Sequence, residues 1–466
     1  MTVGAAALET IAARGIPVPS YDRAALRPRI LHLGVGGFHR AHLALYTHEL
    51  AQESSDWAVR GLGVLSHDQR MADVLASQDH HYVLTEKGSG EATPQVIGSI
   101  IDYVLAVDDS AAVARQIADP AVAILSLTVT EAGYSTDTPN ATFGAIALGL
   151  DERRRSGGGP LTVLSCDNLP GNGTVARAAT AAACDSVDGD LLRWVETNCT
   201  FPNSMVDRIT PQTSDSDRAW LLDTWGIIDG WPVVAEPFRQ WVIEDTFVAG
   251  RPRWDDVGAL FTDRVHDWEL YKLRMLNAGH SCMAYLSALA GITFVDEAMA
   301  LPEMRAYLSR LLHEEAIPTL TAIPGHPRAD YAASVFKRFA NTGVRDQIAR
   351  LCIDGTAKFP TFLIPTIERQ VELGGPVDCA ALALAGWCRY LATTPAASRA
   401  ADGRGDTSAE YARQAVDDPT AFLELAEVFP ATLRESDRFR GAFAAASDRL
   451  AASGPLAALA HAAGKV

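Results

Sequence analysis

Four polar residues of the largely apolar segment 269-ELYKLRMLNAGH-280 share one side of it: Glu269, Lys272, Asn277 and His280. On a helix turning about 100° per residue they fall within an arc of about 140° and can face one pocket. A core helix seldom carries so many polar groups on one side without a function, because each needs a partner once buried. The set suits removal of a hydroxyl proton while hydride leaves the same carbon, a reaction that needs a base and a donor to steady the alkoxide. Lys272 is that base if burial lowers its pKa toward neutrality. Asn277 offers an amide N–H to the oxygen, His280 can hold a neighbouring hydroxyl, and Glu269 can pass the proton to water. A surface ion pair between Glu269 and Lys272 at i,i+3 would explain two of the four and leave Asn277 and His280 unexplained.

Hydride needs an acceptor, and the N-terminal region offers a place for one. The apolar run from Ile30 to Leu33 leads into Gly34-Val35-Gly36-Gly37-Phe38-His39, and Arg40 to Leu50 reads as a helix. A strand, a glycine turn and a helix in that order form the setting of a dinucleotide site. Gly34 permits the tight turn and Gly36 the close approach of a pyrophosphate. His39 stands where the fingerprint has its third glycine. A second strand candidate, Trp57 to Leu65, is followed by Ser66-His67-Asp68, where the Asp68 carboxylate could accept from ribose hydroxyls and favour NAD over NADP. Asp68 lies further from the glycines than the usual spacing of about 20 residues, and it would serve equally as a helix N-cap.

The elements that must hold these residues divide the chain in two. From Arg29 to about Glu244, short apolar runs such as 30-ILHLGVGG-37, 122-VAILSLTV-129 and 161-LTVLSC-166 alternate with helical stretches, the pattern of a mostly parallel, doubly wound sheet. From about His266 strand signals fade, and segments such as 268–290 and 409–429 read as helices. The expected fold is α/β: a Rossmann-type domain over 1–265 and a mostly α-helical substrate domain over 266–466, with the substrate in the cleft between them. The stretch 393-TTPAASRAADGRGDTS-408 reads as an exposed loop, and its Arg404-Gly405-Asp406 triplet is set aside as an adhesion motif.

Composition excludes several function classes. The 466 residues carry 57 acidic against 40 basic side chains, a formal charge of -17, so nucleic acid and anionic lipid are poor partners. With 48% apolar and 21% charged residues the chain is globular in type. Met1 to Gly15 does not read as a signal peptide, and no window reaches the roughly 20 apolar residues that span a bilayer; a cytoplasmic location is expected. Seven cysteines without a CxxC spacing suggest neither a disulfide framework nor a zinc cluster. No HExxH occurs, and His39-x-x-His42 lacks companions at ligand spacing, so the pair reads as turn and helix-capping residues and no metal is expected.

Taken together, 34-GVGGFHRAH-42, 126-SLTVTEAGY-134, 165-SCDNLPGNG-173, 205-MVDRITP-211, 235-AEPFRQWVIED-245 and the Lys-x4-Asn-x2-His pattern closely resemble the polyol-specific long-chain dehydrogenases, the mannitol dehydrogenase family. The resemblance runs nearly the whole chain. It implies zinc-independent, NAD-dependent interconversion of a sugar alcohol and a ketose, with Lys272 as general base and Asn168 and Asn277 as an oxyanion hole. It implies that Asp207, Arg350 and Lys358 hold substrate hydroxyls, and that Glu269 gates a proton channel. It further implies that Gly34, Gly36, Gly37 and Phe38 meet the cofactor mainly through backbone and that Glu131 lies near the nicotinamide. Without the resemblance, Asn168 would pass for a turn residue, and Arg350 and Lys358 for surface charges. D-mannitol to D-fructose is the best single pair, with D-arabinitol oxidation and fructuronate reduction as alternatives, in a monomer or small homo-oligomer. Among more distant readings, the β-hydroxyacid dehydrogenases place Asn four residues after their Lys, where this chain has Leu276, and a non-catalytic NAD-binding protein would have lost residues that are all present here.

Overall fold

The computed structural model describes residues 1–90, 92–107, 109–135 and 141–464, and the chain divides into two compact units, Met1–His266 and Asp267–Val466. The first is built on six parallel strands: β1 (Ile30–Leu33), β2 (Val59–Gly63), β3 (Ile100–Leu105), β4 (Ile124–Leu127), β5 (Leu161–Ser165) and β6 (Cys199–Thr200). Their order across the sheet is β3-β2-β1-β4-β5-β6, the doubly wound dinucleotide-binding order. β1, β4 and β5 are buried throughout, which explains why they read as unbroken apolar runs. Alternate residues feed two cores. Ile30, Ile124 and Leu164 pack with Leu45, Tyr46, Trp241 and Trp254 on one face, and Leu31, Leu33, Leu125 and Val163 pack with Phe143, Ile146 and Ala176 on the other.

Two small three-stranded sheets accompany the main one, and neither was read from the sequence. Val233–Ala235, Tyr82–Lys87 and Ala92–Ile97 form the first; Leu260–Phe261, Gln240–Ile243 and Ser204–Asp207 form the second. The four strands of two to four residues carry too little alternation to stand out from loop, and the six-residue pair Tyr82–Lys87 and Ala92–Ile97 was simply missed.

Among the described residues of Asp267–Val466 there is no strand, and helices account for most of the unit. Its core is aromatic: Trp387 on the nearly fully buried helix Asp378–Thr393 packs against Phe359 and Phe422. Two expected helices are not continuous. The segment 409–429 is split into Gly405–Gln414 and a 3-10 stretch Pro419–Glu424, because Pro419 has no N–H to continue the ladder. The segment 268–290 is interrupted by a π-helical turn, Lys272–Asn277, between the α-helices Val265–Tyr271 and Ala278–Leu289. All seven cysteines are free and buried. Among the described residues, no helix is long and apolar enough to cross a membrane, and no group of three or more His, Cys, Asp or Glu is arranged to hold a metal ion.

Candidate active site

The glycine loop leaves β1 at the point where strand order reverses between β1 and β4, the place where doubly wound sheets bind nucleotides. Gly34 has φ +90°, and a Cβ there would lie 2.0 Å from the Thr128 carbonyl oxygen at the end of β4, so the fold itself requires glycine. The Thr128 hydroxyl donates to the Gly34 carbonyl at 2.6 Å and locks the loop to that strand. Gly36 and Gly37 differ. A Cβ on Gly36 meets only the Gly34 oxygen at 3.7 Å, and one on Gly37 only Thr210 Cγ2 at 3.8 Å. Nothing inside the protein demands glycine at either position, and the open cradle fits a molecule that approaches the backbone closely, as a dinucleotide pyrophosphate does. Gly36→Ala should therefore leave thermal stability nearly unchanged and weaken NADH binding about tenfold or more, whereas Gly34→Ala should unfold or strongly destabilise the protein; calorimetry and NADH fluorescence titration separate the two outcomes.

Beneath the loop lies a set of buried rings. His39 and His42, expected as turn and capping residues, are core side chains: His39 lies inside a helix, and His42 stands at the cap position between two helices without a side-chain capping hydrogen bond. His39, inside the short helix Gly37–Ala41, stacks on His32 of β1 with centroids 3.4 Å apart. His32 is held by Ser126 Oγ at 2.8 Å and Thr128 Oγ1 at 2.9 Å. His42 stands between that helix and the next, Leu43–Ala51, stacked on Phe38, with Nε2 3.1 Å from the Gln240 carbonyl. Burial drives the pKa values of His32 and His42 down to about 3 and that of His39 well below its ordinary value, so all three are neutral. His39 fills the space that a third glycine would leave open. Arg208, fully buried, donates to the carbonyls of Ala41 and Glu236 and pairs with Glu86, tying the end of the loop helix to the strand that carries Asp207. Its place in the motif 205-MVDRITP-211 was visible, but its structural task was not.

Other expected residues gather at strand ends of the same unit. In 165-SCDNLPGNG-173, Asp167 accepts from the N–H groups of Val129 and Thr130 and from the Tyr134 hydroxyl, joining the loop after β5 to the loop after β4. Burial raises its pKa against the pull of those donors. Asn172 donates to the carbonyls of Ser165 and Ser204, and a Cβ on Gly173 would lie 2.5 Å from the Phe201 and Pro202 oxygens. The motif is thus mostly scaffold, and it leaves Asn168 exposed at the strand end. Asp207 is buried at the end of its strand, in register with Gln240. Asp68 follows β2 and precedes the helix Gln69–Ser77 without an N-cap hydrogen bond to it; its Oδ2 instead accepts from the Val64 and Leu65 N–H groups at 2.9 Å, closing the start of the 3-10 turn Ser66–Asp68. Glu131 opens the 3-10 turn Glu131–Tyr134; its side chain lies outside the described residues.

The helical unit holds the rest. Lys272 and Asn277 are the first and last residues of the π turn, in which the Ala278 N–H reaches back five residues to the Leu273 carbonyl. That widening corrects the geometry expected of a regular α-helix: residues five apart are drawn nearly into line along the axis. Lys272 is 8% and Glu269 5% exposed, Asn277 and His280 are half-buried, and His280 stacks on Phe339 at 4.1 Å. Arg350 makes a two-pronged ion pair with buried Asp346; burial works to raise that carboxyl, but the guanidinium holds it below its ordinary value. Lys358 donates to the Leu351 carbonyl at 3.1 Å, next to Arg350. Asp346 was not picked from the sequence, although its i,i+4 spacing to Arg350 was a signal.

Comparison with known proteins covers both units. A profile described as the mannitol dehydrogenase Rossmann domain matches residues 28–256, and one described as the mannitol dehydrogenase C-terminal domain matches residues 264–451. A mannitol 2-dehydrogenase from Cereibacter sphaeroides is 39% identical over 96% of this chain and 98% of its own. The Pseudomonas fluorescens mannitol 2-dehydrogenase, solved as a ternary complex with NAD and D-mannitol, superposes with a TM-score of 0.89 at 38% identity over 100% of both chains. A substrate-free D-sorbitol dehydrogenase superposes with a TM-score of 0.90 at 34% identity over 98% of this chain and 100% of its own. The chain belongs to the mannitol dehydrogenase family of oxidoreductases.

Proposed function

We propose that the protein oxidises a secondary hydroxyl of a linear sugar alcohol to a ketose with NAD as hydride acceptor, D-mannitol to D-fructose being the leading pair. The observation that carries the reading is the buried Lys272 at one end of a π turn whose other end is Asn277. NAD, held at Gly34, Gly36, Gly37 and Phe38, supplies the acceptor carbon for hydride. Lys272, neutral before reaction, takes the hydroxyl proton at Nζ, while the amides of Asn277 and Asn168 donate to the oxygen as negative charge develops on it. Glu269, one turn before Lys272, receives that proton and returns it to water. His280, Asp207, Arg350 and Lys358 hold the remaining hydroxyls of the chain. The Asp68 carboxylate accepts from the adenosine ribose and repels a 2′-phosphate. Asp68→Ala should accordingly raise the KM for NAD more than that for NADP; an unchanged ratio would leave Asp68 only as the closure of its 3-10 turn.

With an amine as the base, no metal-bound water is needed, and prolonged dialysis against a chelator should leave turnover unchanged. Loss of activity restored by Zn²⁺ would reject the amine mechanism. The D-sorbitol dehydrogenase of equal structural likeness favours a second reading, in which D-sorbitol is the better hexitol; arabinitol and fructuronate complete the alternatives. Initial rates with each of these, compared as kcat/KM, rank the substrates directly.

A further inference from the structure

The π turn has a restraint of its own. Of its six residues, Leu273, Met275 and Leu276 are buried apolar anchors, and Lys272 and Asn277 belong to the proposed chemistry. Arg274 is left. Its Nη1 donates to both the carbonyl and the hydroxyl oxygen of Thr319, each at 2.9 Å, and the Thr319 hydroxyl donates in turn to the Ala316 carbonyl at 2.7 Å. Ala316 closes a second π turn, Leu311–Ala316, whose Glu314 and Glu315 carbonyls accept from Gln370 Nε2 at 3.1 and 2.6 Å. Two π turns are therefore cross-linked, Arg274 to Thr319 to Ala316, and the outer one is fastened to helix Ile364–Leu373 by Gln370.

A π turn persists only where its surroundings hold it, since the same backbone can close as α with one residue shifted. Such a shift would rotate everything after the turn by about one residue's angle, roughly 100°, and carry Asn277 away from Lys272. Burial of Leu273, Met275 and Leu276 resists this without choosing among neighbouring registers, whereas a guanidinium gripping two fixed oxygens chooses one. Burial, and then the nearby Arg369, lower the Arg274 pKa, and the hydrogen bonds of its Nη1 go to the neutral oxygens of Thr319. We infer that Arg274, through Thr319, is a positioning residue that sets the register of the π turn and with it the alignment of Lys272 with Asn277. The inference rests on the reading of Lys272 as the base.

The test compares Arg274→Met, Arg274→Lys and Thr319→Val with Lys272→Ala in the full-length protein, measuring kcat, KM and the pH profile of kcat for hexitol oxidation alongside NADH binding. Loss of the anchor should lower kcat about 10- to 100-fold, the cost of a misplaced catalytic group, with NADH affinity and KM little changed. The apparent pKa governing kcat should move, Arg274→Lys should recover part of the rate, and Thr319→Val should show the same pattern more weakly. Wild-type kcat and pH profile in Arg274→Met would overturn the inference. So would a rate loss that only tracks the folded fraction while the pH profile stays in place. If Arg274→Met does not fold, Thr319→Val decides by the same criteria. Retained turnover in Lys272→Ala would instead remove the base assignment, a failure distinct from that of the anchor.

Discussion

Replacing Lys272 with alanine will lower kcat for hexitol oxidation roughly 10²- to 10⁴-fold, the range expected when a general base is removed, and will leave NADH affinity within about twofold. The asymmetry follows from where the groups lie in the chain. The glycine loop proposed to hold the dinucleotide is fixed by β1, β4 and the Thr128 hydroxyl, all in Met1–His266, and Lys272 belongs to the helical unit. Two neighbouring groups are poorly placed to replace the amine. Glu269 is 5% exposed and one turn away, and the imidazole of His280 is engaged against Phe339. A small primary amine added to Lys272→Ala should restore part of the rate, because truncation leaves a cavity the size of the lost side chain. Rates of Lys272→Ala and wild type, each across a pH series, provide the check: the variant should lose the wild-type ionisation from its profile. A wild-type profile at reduced rate would place the base elsewhere.

The second large effect is on stability. His32 and His42, with pKa values driven to about 3, and His48 and His81, driven to about 4, are buried in the nucleotide-binding unit, all four primarily by desolvation. Their folded pKa values lie below the unfolded value near 6.5, so above pH 6.5 both states are neutral and no stability is lost. As the pH falls below 6.5 the unfolded chain takes up protons that the folded one refuses, and each histidine withdraws about 1.4 kcal/mol per pH unit until its folded pKa is reached. Four together withdraw on the order of 5 kcal/mol per unit, against a total stability of about 5–15 kcal/mol for a domain. Buried carboxyls have the opposite sign: Asp167 and Asp229, both raised by burial, offset part of this loss in the nucleotide-binding unit, and in the helical unit the same sign belongs to Glu315. Burial raises its carboxyl from 4.5 to about 7, although it accepts from the Cys379 and Ala380 N–H groups, so that unit gains stability as the pH drops from 7 toward 4.5. Acid titration should therefore abolish NADH binding and the near-UV signal near pH 5 while much of the far-UV helical signal persists. A flat unfolding free energy between pH 7 and 5 would contradict the burial of these histidines.

How much of this was legible in the sequence depends on the range over which each feature is encoded. β1, β4 and β5 were readable because strands covered on both faces are apolar at every position. Family membership was readable because several motifs occur in one order over nearly the whole chain, and the Rossmann and helical architectures were readable without it, from apolar runs alternating with helical stretches up to about Glu244 and from the fading of strand signals after about His266. The π turn was not readable, since no composition distinguishes it from an α turn; its one trace was the five-residue step from Lys272 to Asn277. That step had served to set the chain apart from enzymes with Asn four residues after Lys. The i→i+5 turn weakens the distinction, because it brings residue 277 close to where residue 276 would stand on an α-helix. The tasks of Asp167, Asn172 and Arg208 were hidden inside motifs whose other members drew the attention, because each has a partner 28 or more residues away in sequence. His39 looked like a broken fingerprint until its stacking on His32 showed what occupies the space.

The most direct test of the central claim is the rate of NADH formation, followed at the reduced-nicotinamide absorbance band, when purified protein and NAD meet D-mannitol, D-sorbitol, D-arabinitol and xylitol in chelator-treated buffer. The account predicts rapid turnover with a hexitol, D-mannitol foremost, and the reverse reaction with D-fructose and NADH. Bound NAD with no turnover on any polyol or on fructuronate would contradict it.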